Sequence, residues 1–293
     1  MQTASSKRSP TDRPQGEAAG PCAPAGRLAG RVHSVFARCC NIELSGHTLL
    51  LPLLDAGLAA QPHAWTLHLP EGSDCRDWFS PGTPVLLNER GLTVGTLYLP
   101  RPDTRLPEHA FRVPAHRCAI GRIAAHLPAL SLAIERAAAV RPATEWHAAH
   151  PLLRGPRDAY RTALARPDSL PEATAALVGL GCGLTPAGDD LLCGSLAVLA
   201  WRAPALFARA ASAIRPQLAT TSRVSGDYLL LACQAMFSPL LAALLQALAD
   251  GDGPQARHAL TALLAHGSSS GLDTAIGVVD TLHALGVPAW LAA

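Results

Sequence analysis

The sequence predicts an α+β fold, with an N-terminal antiparallel β barrel or sandwich-like region followed by a mainly α-helical domain. Three observations predict it. From Gly30 to about Pro114 short apolar runs are split by turn residues, the pattern of strands. Beyond Ala119 apolar residues recur three and four positions apart, the spacing of an amphipathic helix. Aromatics are only 4% of the chain while hydrophobic residues are 49%, so aliphatic side chains and alanine must fill the core, which suits close helix packing.

Residues 1–26 form a Ser-, Pro- and Gly-rich polar stretch that composition assigns to a disordered tail, with no apolar run that would make a signal peptide. Residues 27–118 form the β-rich domain, whose predicted strands are RVHSVF, NIEL, HTLLLPLL, AWTLHLP, PVLLNER and LTVGTLYLP. Ser45-Gly46 and Glu89-Arg90-Gly91 punctuate them with turn chemistry. Residues 119–293 form the helical domain. Its first helical pattern, IGRIAAHLPALSLAIERAAAV, must kink or divide at Pro128. Further helices are predicted over 157–165, 171–179, 189–201, 204–218, 226–248, 254–266 and 272–285. The leucine-rich run 229–248 is interrupted by Cys233, Gln234, Ser238, Pro239 and Gln246, so it reads as a core helix and not as a bilayer span.

A net charge of +2, with 16% charged residues and no basic stripe, argues against nucleic acid as a partner. Eight cysteines without a CxxC pair predict reduced thiols and a cytoplasmic location, and the twelve histidines show no HExxH-type spacing, so no metal site is predicted.

The segment GLGCGLTPAGDDLLCG, from Gly179 to Gly194, carries the most chemistry. Glycines before a helix start leave backbone amides and the positive end of the helix dipole available to an anion, and here Gly181, Gly183, Leu184, Thr185 and Gly188 would supply them. A structural reading has Thr185 or Asp189 cap the helix and Asp190 complement its dipole. A Thr185 cap, however, would leave Asp189 and Asp190 without that task. A second segment, HGSSSGLDTAIG, places Ser268, Ser269, Ser270 and Gly271 before a helix carrying Asp273. Gly271, Asp273 and Gly277 match Gly188, Asp190 and Gly194 in a GxDxxxG pattern. Two such helices crossing at their glycines would bring both aspartates to one pocket, and a chance match between glycine-rich helix starts is the alternative. A third segment, TTSRVSGDYLL, offers Thr221, Ser222, Arg223, Ser225 and Asp227, with Ser225 also the natural cap of the following helix. Cys182 lies inside the glycine loop without a histidine nearby in sequence and is read as incidental.

Taken in order, GLGCGLTPAGDDLLCG, TSRVSGDYLLLACQAMFSPLLAALL and HGSSSGLDTAIGVVDTL resemble the AllH family, with GRVHSVFARCCNIEL as weaker support. The family signature is met at Gly183, Thr185, Pro186, Gly188, Asp189 and Asp190, with Ala187 where the family often has serine and Cys182 where it often has proline. The resemblance implies a subunit of oxamate carbamoyltransferase in allantoin and purine breakdown, acting with partner subunits on oxalurate, phosphate, oxamate or carbamoyl phosphate. Asp189, Asp190, Asp273 and Arg223 are then the candidate catalytic groups, and Gly181, Gly183, Leu184, Thr185, Gly188, Ser222, Ser225, Ser268, Ser269, Ser270 and Gly271 the candidate binding groups. Two other readings stay open. One is a nucleotide-dependent phosphotransferase or ligase-like enzyme with Mg²⁺ as its cofactor. The other is a non-catalytic partner subunit.

Overall fold

Alternating apolar residues of the first hundred positions form nine strands in the computed structural model, which describes residues 13–116, 119–142 and 147–286. They are β1 (Gln15–Ala19), β2 (Leu28–Val35), β3 (Cys39–Leu44), β4 (Leu51–Asp55), β5 (Trp65–His68), β6 (Pro84–Leu87), β7 (Gly91–Val94), β8 (Leu97–Pro100) and β9 (Thr104–Arg105). One sheet joins them in the order β8, β7, β6, β2, β3, β4, β5, β1, β9. A Cβ on Gly16 of β1 would stand 3.1 Å from the carbonyl oxygen of Pro100 at the end of β8, so the sheet curls back towards its own far edge as a half-barrel. Ile42, Leu51, Leu53, Trp65, Leu67, Leu87, Leu92 and Leu99 fill its core.

Three features depart from the sequence reading. Residues 15–19, assigned by composition to a disordered tail, form β1 and pair with β5, because ladder hydrogen bonds need no apolar side chain. Residues 1–12 of that tail lie outside the described residues. The pairings β4 with β5 and β1 with β9 are parallel, in a sheet expected to be antiparallel throughout. The run LTVGTLYLP is two strands. Val94 pairs with Leu97, so Gly95 and Thr96 make a two-residue hairpin turn, and Gly95 has the positive φ of 57° that such turns require.

The chain divides into two compact units between Glu108 and His109. Among the described residues the second holds ten α-helices: α1 (Ile120–Ala124), α2 (Leu127–Ala139), α3 (Pro151–Leu164), α4 (Leu170–Ala175), α5 (Ala187–Arg202), α6 (Pro204–Ile214), α7 (Arg223–Ala232), α8 (Pro239–Asp250), α9 (Gly253–Leu264) and α10 (Ser270–Ala284). Pro128 divides the first pattern as expected, standing in the first turn of α2. The helix predicted over 226–248 is instead two. Ala235 takes a left-handed φ of 55°, and Ser238 then caps a new helix with Pro239 in its first turn. α5 and α10 are buried on nearly every face, α5 from Ala187 to Leu199 except at Cys193 and α10 from Gly271 to Leu282. Helices apolar all round belong at the centre of a bundle, and these two pack on each other there. No helix among the described residues is long and apolar enough to cross a membrane.

Candidate functional site

Gly194 and Gly277 decide how the central helices cross. A Cβ on Gly194 would overlap the carbonyl oxygen of Thr274, and a Cβ on Gly277 would overlap that of Leu191. Each glycine thus meets the residue one turn before the other glycine, which is a local two-fold relation between α5 and α10. The outer glycines behave alike. Gly188 is pressed on the carbonyl of Leu177, and Gly271 on that of Leu263. The repeated GxDxxxG spacing is therefore matched in space, and it sets Asp190 and Asp273 in first turns that come together.

Across this junction the Thr185 and Ser270 hydroxyls bond to each other at 2.7 Å. The third segment joins through three further hydrogen bonds. Ser222 Oγ donates to the carbonyl of Leu184 in the glycine loop, and Asp189 holds α7 by accepting from Thr221 and, at 2.7 Å, from Ser225. Asp189 also accepts from the Gly179 amide at 2.7 Å, so its carboxylate ties the start of the glycine loop to the start of α7. Burial pushes Asp189 above the ordinary carboxylate range, and these three donors pull against that shift.

Asp190 has a different environment. It is buried, its Oδ2 has no hydrogen-bond partner, and burial followed by the charge of Asp273 pushes it well above the ordinary range, opposed by the hydroxyls of Ser270 and Thr185. Asp273 is fully buried, with Oδ1 accepting from the Ala148 amide at 2.5 Å. Behind it Arg157 forms a two-point ion pair with Asp280 at 2.5 and 2.9 Å and reaches the Ala148 carbonyl at 3.4 Å. Burial, then the charge of Asp190, raises the Cys193 thiol far above its ordinary value, which argues against a nucleophilic thiolate there.

The capping assignments differ from those read in sequence. Pro186 stands at the N-cap of α5, with no side-chain cap, and Thr185 turns to Ser270. Ser222 and not Ser225 caps α7, because Ser225, one turn in, faces Asp189. Among the remaining candidates, Leu184 is exposed at the loop tip with Gly183, and Gly181 and Gly183 take φ of +131° and +91°. No described residue accepts from the amides of Gly181 to Leu184, whereas the Gly188 and Gly271 amides bond to the carbonyls of Leu180 and His266. Ser268 receives the Arg141 guanidinium on its carbonyl, Ser269 stands at the N-cap of α10 without a side-chain cap, and Arg223 lies 4.0 Å from Asp227 on its own helix. Sequence reasoning singled out Thr221, which the structure sets on Asp189, but missed the Ala148 amide, Arg157 and Asp280. Only Asp280 had a signal, as an acid two turns beyond Asp273 on one helix. Among the described residues no three His, Cys, Asp or Glu side chains group closely enough to hold a metal ion.

Two family models match the chain. One, described as the AllH family N-terminal domain, covers residues 20–104, and the other, described as oxamate carbamoyltransferase subunit AllH, covers residues 177–282. The chain belongs to the AllH family. The second match takes in the glycine loop, the start of α7 and the start of α10, so the converging segments of this AllH chain all lie inside it. Ala148 and Arg157, which support Asp273, lie outside it. Among curated proteins and among solved structures nothing matches the chain.

Proposed function

We propose that this chain is a subunit of oxamate carbamoyltransferase that binds a small anion where the starts of α5 and α10 meet and, with partner subunits, moves a carbamoyl group between oxalurate and phosphate. The observation that carries the reading is the paired placement of Asp190 and Asp273 beneath the Thr185–Ser270 bridge, next to a glycine loop whose amides from Gly181 to Leu184 stay available. In the reaction the bond from the carbamoyl carbon to the oxamate nitrogen breaks, a bond from that carbon to a phosphate oxygen forms, and the departing nitrogen takes up a proton. Such a transfer is served by fixed donors that hold the anion and polarise the carbamoyl oxygen. The loop amides, Thr185, Ser269 and Ser270 fill that role, and Asp190 and Asp273 orient the reacting groups. Asp189, Ser222 and Ser225 act as positioning residues through the glycine loop.

The test is reconstitution of this chain with its partner subunits, following carbamoyl phosphate formed from oxalurate and phosphate. The expected result is turnover that needs this chain and falls about 100- to 1000-fold in Ser270→Ala, the scale of losing one preorganised donor. Turnover by the partners alone would overturn the reading. A second reading, a subunit whose glycine helix starts only pack, is favoured by the Gly188 and Gly271 amides being taken by their own chain. It predicts full turnover in Ser270→Ala and Asp190→Asn complexes.

A further inference from the structure

Three carboxyl groups stand in the first turns of α5 and α10, and two of them are held as acceptors. Asp189 receives hydrogen bonds from Gly179, Thr221 and Ser225. Asp273 receives the Ala148 amide and lies in the field of the Arg157 cation. Asp190 differs in the charges around it, which among the described residues include no cation. Its Oδ2 is buried with no partner, and the charged or titratable groups that face it are Asp273 from α10, Asp189 beside it and Cys193 one turn along. The Thr185 and Ser270 hydroxyls, bonded to each other, also reach Asp190 and only partly offset its burial among acids. A buried carboxyl whose charged neighbours are other acids is the one that keeps a proton when such a group titrates.

We propose that Asp190 stands in the site as a neutral carboxylic acid and donates its Oδ2 hydrogen to an oxygen of the bound anion. This rests on the anion-binding reading above and deepens it. A charged Asp190 would repel a carboxylate or phosphate ligand, whereas the neutral acid is a donor aimed at it. The ligand class is therefore a small oxyanion with an acceptor oxygen, and an ammonium group or a divalent cation, which would need the charged carboxylate, is disfavoured. An asparagine has nearly the same shape and always presents a donor, whereas an alanine presents none.

The test uses the full chain with oxamate as probe, by infrared spectroscopy and thermal melts on wild type, Asp190→Asn and Asp190→Ala. The wild type should show a protonated carboxyl band at neutral pH that is missing from Asp190→Asn and that moves when oxamate is added. Asp190→Asn should keep oxamate affinity within a few-fold, while Asp190→Ala weakens it about 10- to 100-fold, the scale of one hydrogen bond to a charged group. If oxamate raises the melting temperature but the Asp190 band is absent or unmoved, or Asp190→Asn binds as poorly as Asp190→Ala, the neutral-acid assignment falls and the anion site stands. If oxamate does not stabilise the wild type at all, the anion site fails and this proposal fails with it.

Discussion

Asp189 and Asp190 are neighbours in sequence, yet one is bound by three donors and the other has a bare oxygen, because successive residues on a helix point about 100° apart. The acidic pair was legible in the sequence as something beyond a cap. Which aspartate clamps and which faces Asp273 was not, since that depends on where Thr221, Ser225 and α10 lie. Asp189→Ala strands the Gly179 amide and two hydroxyls, so it should destabilise the fold by about 1–3 kcal/mol in urea titration. A midpoint equal to wild type would mean that water replaces the clamp without cost. Arg157→Met removes the cation from a two-point pair whose Asp280 side chain is only 5% exposed. Arg161 still stands 3.7 Å from Asp280, so the loss expected by the same titration is below the roughly 3–5 kcal/mol of a buried charge left with no partner.

At the scale of elements, the crossing of α5 and α10 depends on two missing side chains. Gly277→Ala or Gly194→Ala sets a methyl group against a backbone carbonyl, which cannot swing aside, so a loss of at least about 1–3 kcal/mol is expected from forced separation of the helices. Gly226→Ala in α7 is the control. Its Cβ would meet the Leu218 carbonyl oxygen at 3.4 Å, ordinary contact, and φ is not positive, so better helix propensity should stabilise by about 0.5–1 kcal/mol. Chemical denaturation of the three variants checks both signs, and equal losses in all three would remove the crossing argument. The repeat that predicts this crossing was readable, because a glycine one turn after each aspartate on a buried helix has few uses besides close approach. The division of α7 from α8 and the strand β1 were harder to read. The first turns on the left-handed backbone at Ala235, and the second on a partner strand that supplies hydrogen bonds to a segment with little apolar character.

For the whole molecule, the acidic junction makes stability depend on pH with a definite sign. Asp190 is raised in the folded chain above an unfolded value of about 3.9, so the fold binds its proton more tightly than the unfolded chain does. Its contribution is fully present below the unfolded value and is lost as pH rises through the raised folded value. Asp190→Asn removes this dependence, so the variant should melt increasingly above wild type as pH rises from about 4, at about 1.4 kcal/mol per unit of separation. Asp189 shifts the same way but stays in both proteins, and melting curves across that range that run parallel would contradict the sign. The sequence by itself determined the class of fold, the succession of strands then helices, the family and the segments where chemistry gathers, because hydrophobic period, turn residues and glycine spacing are local properties. Only the tertiary structure decided the roles inside those segments: that Asp189 clamps, that Ser222 caps, and that Asp190 faces Asp273 below a Thr185–Ser270 bridge. Those roles depend on side chains 32 to 85 positions apart in the chain meeting in a buried space, with Ser225 drawn from its cap by Asp189, and local pattern carries no record of such meetings.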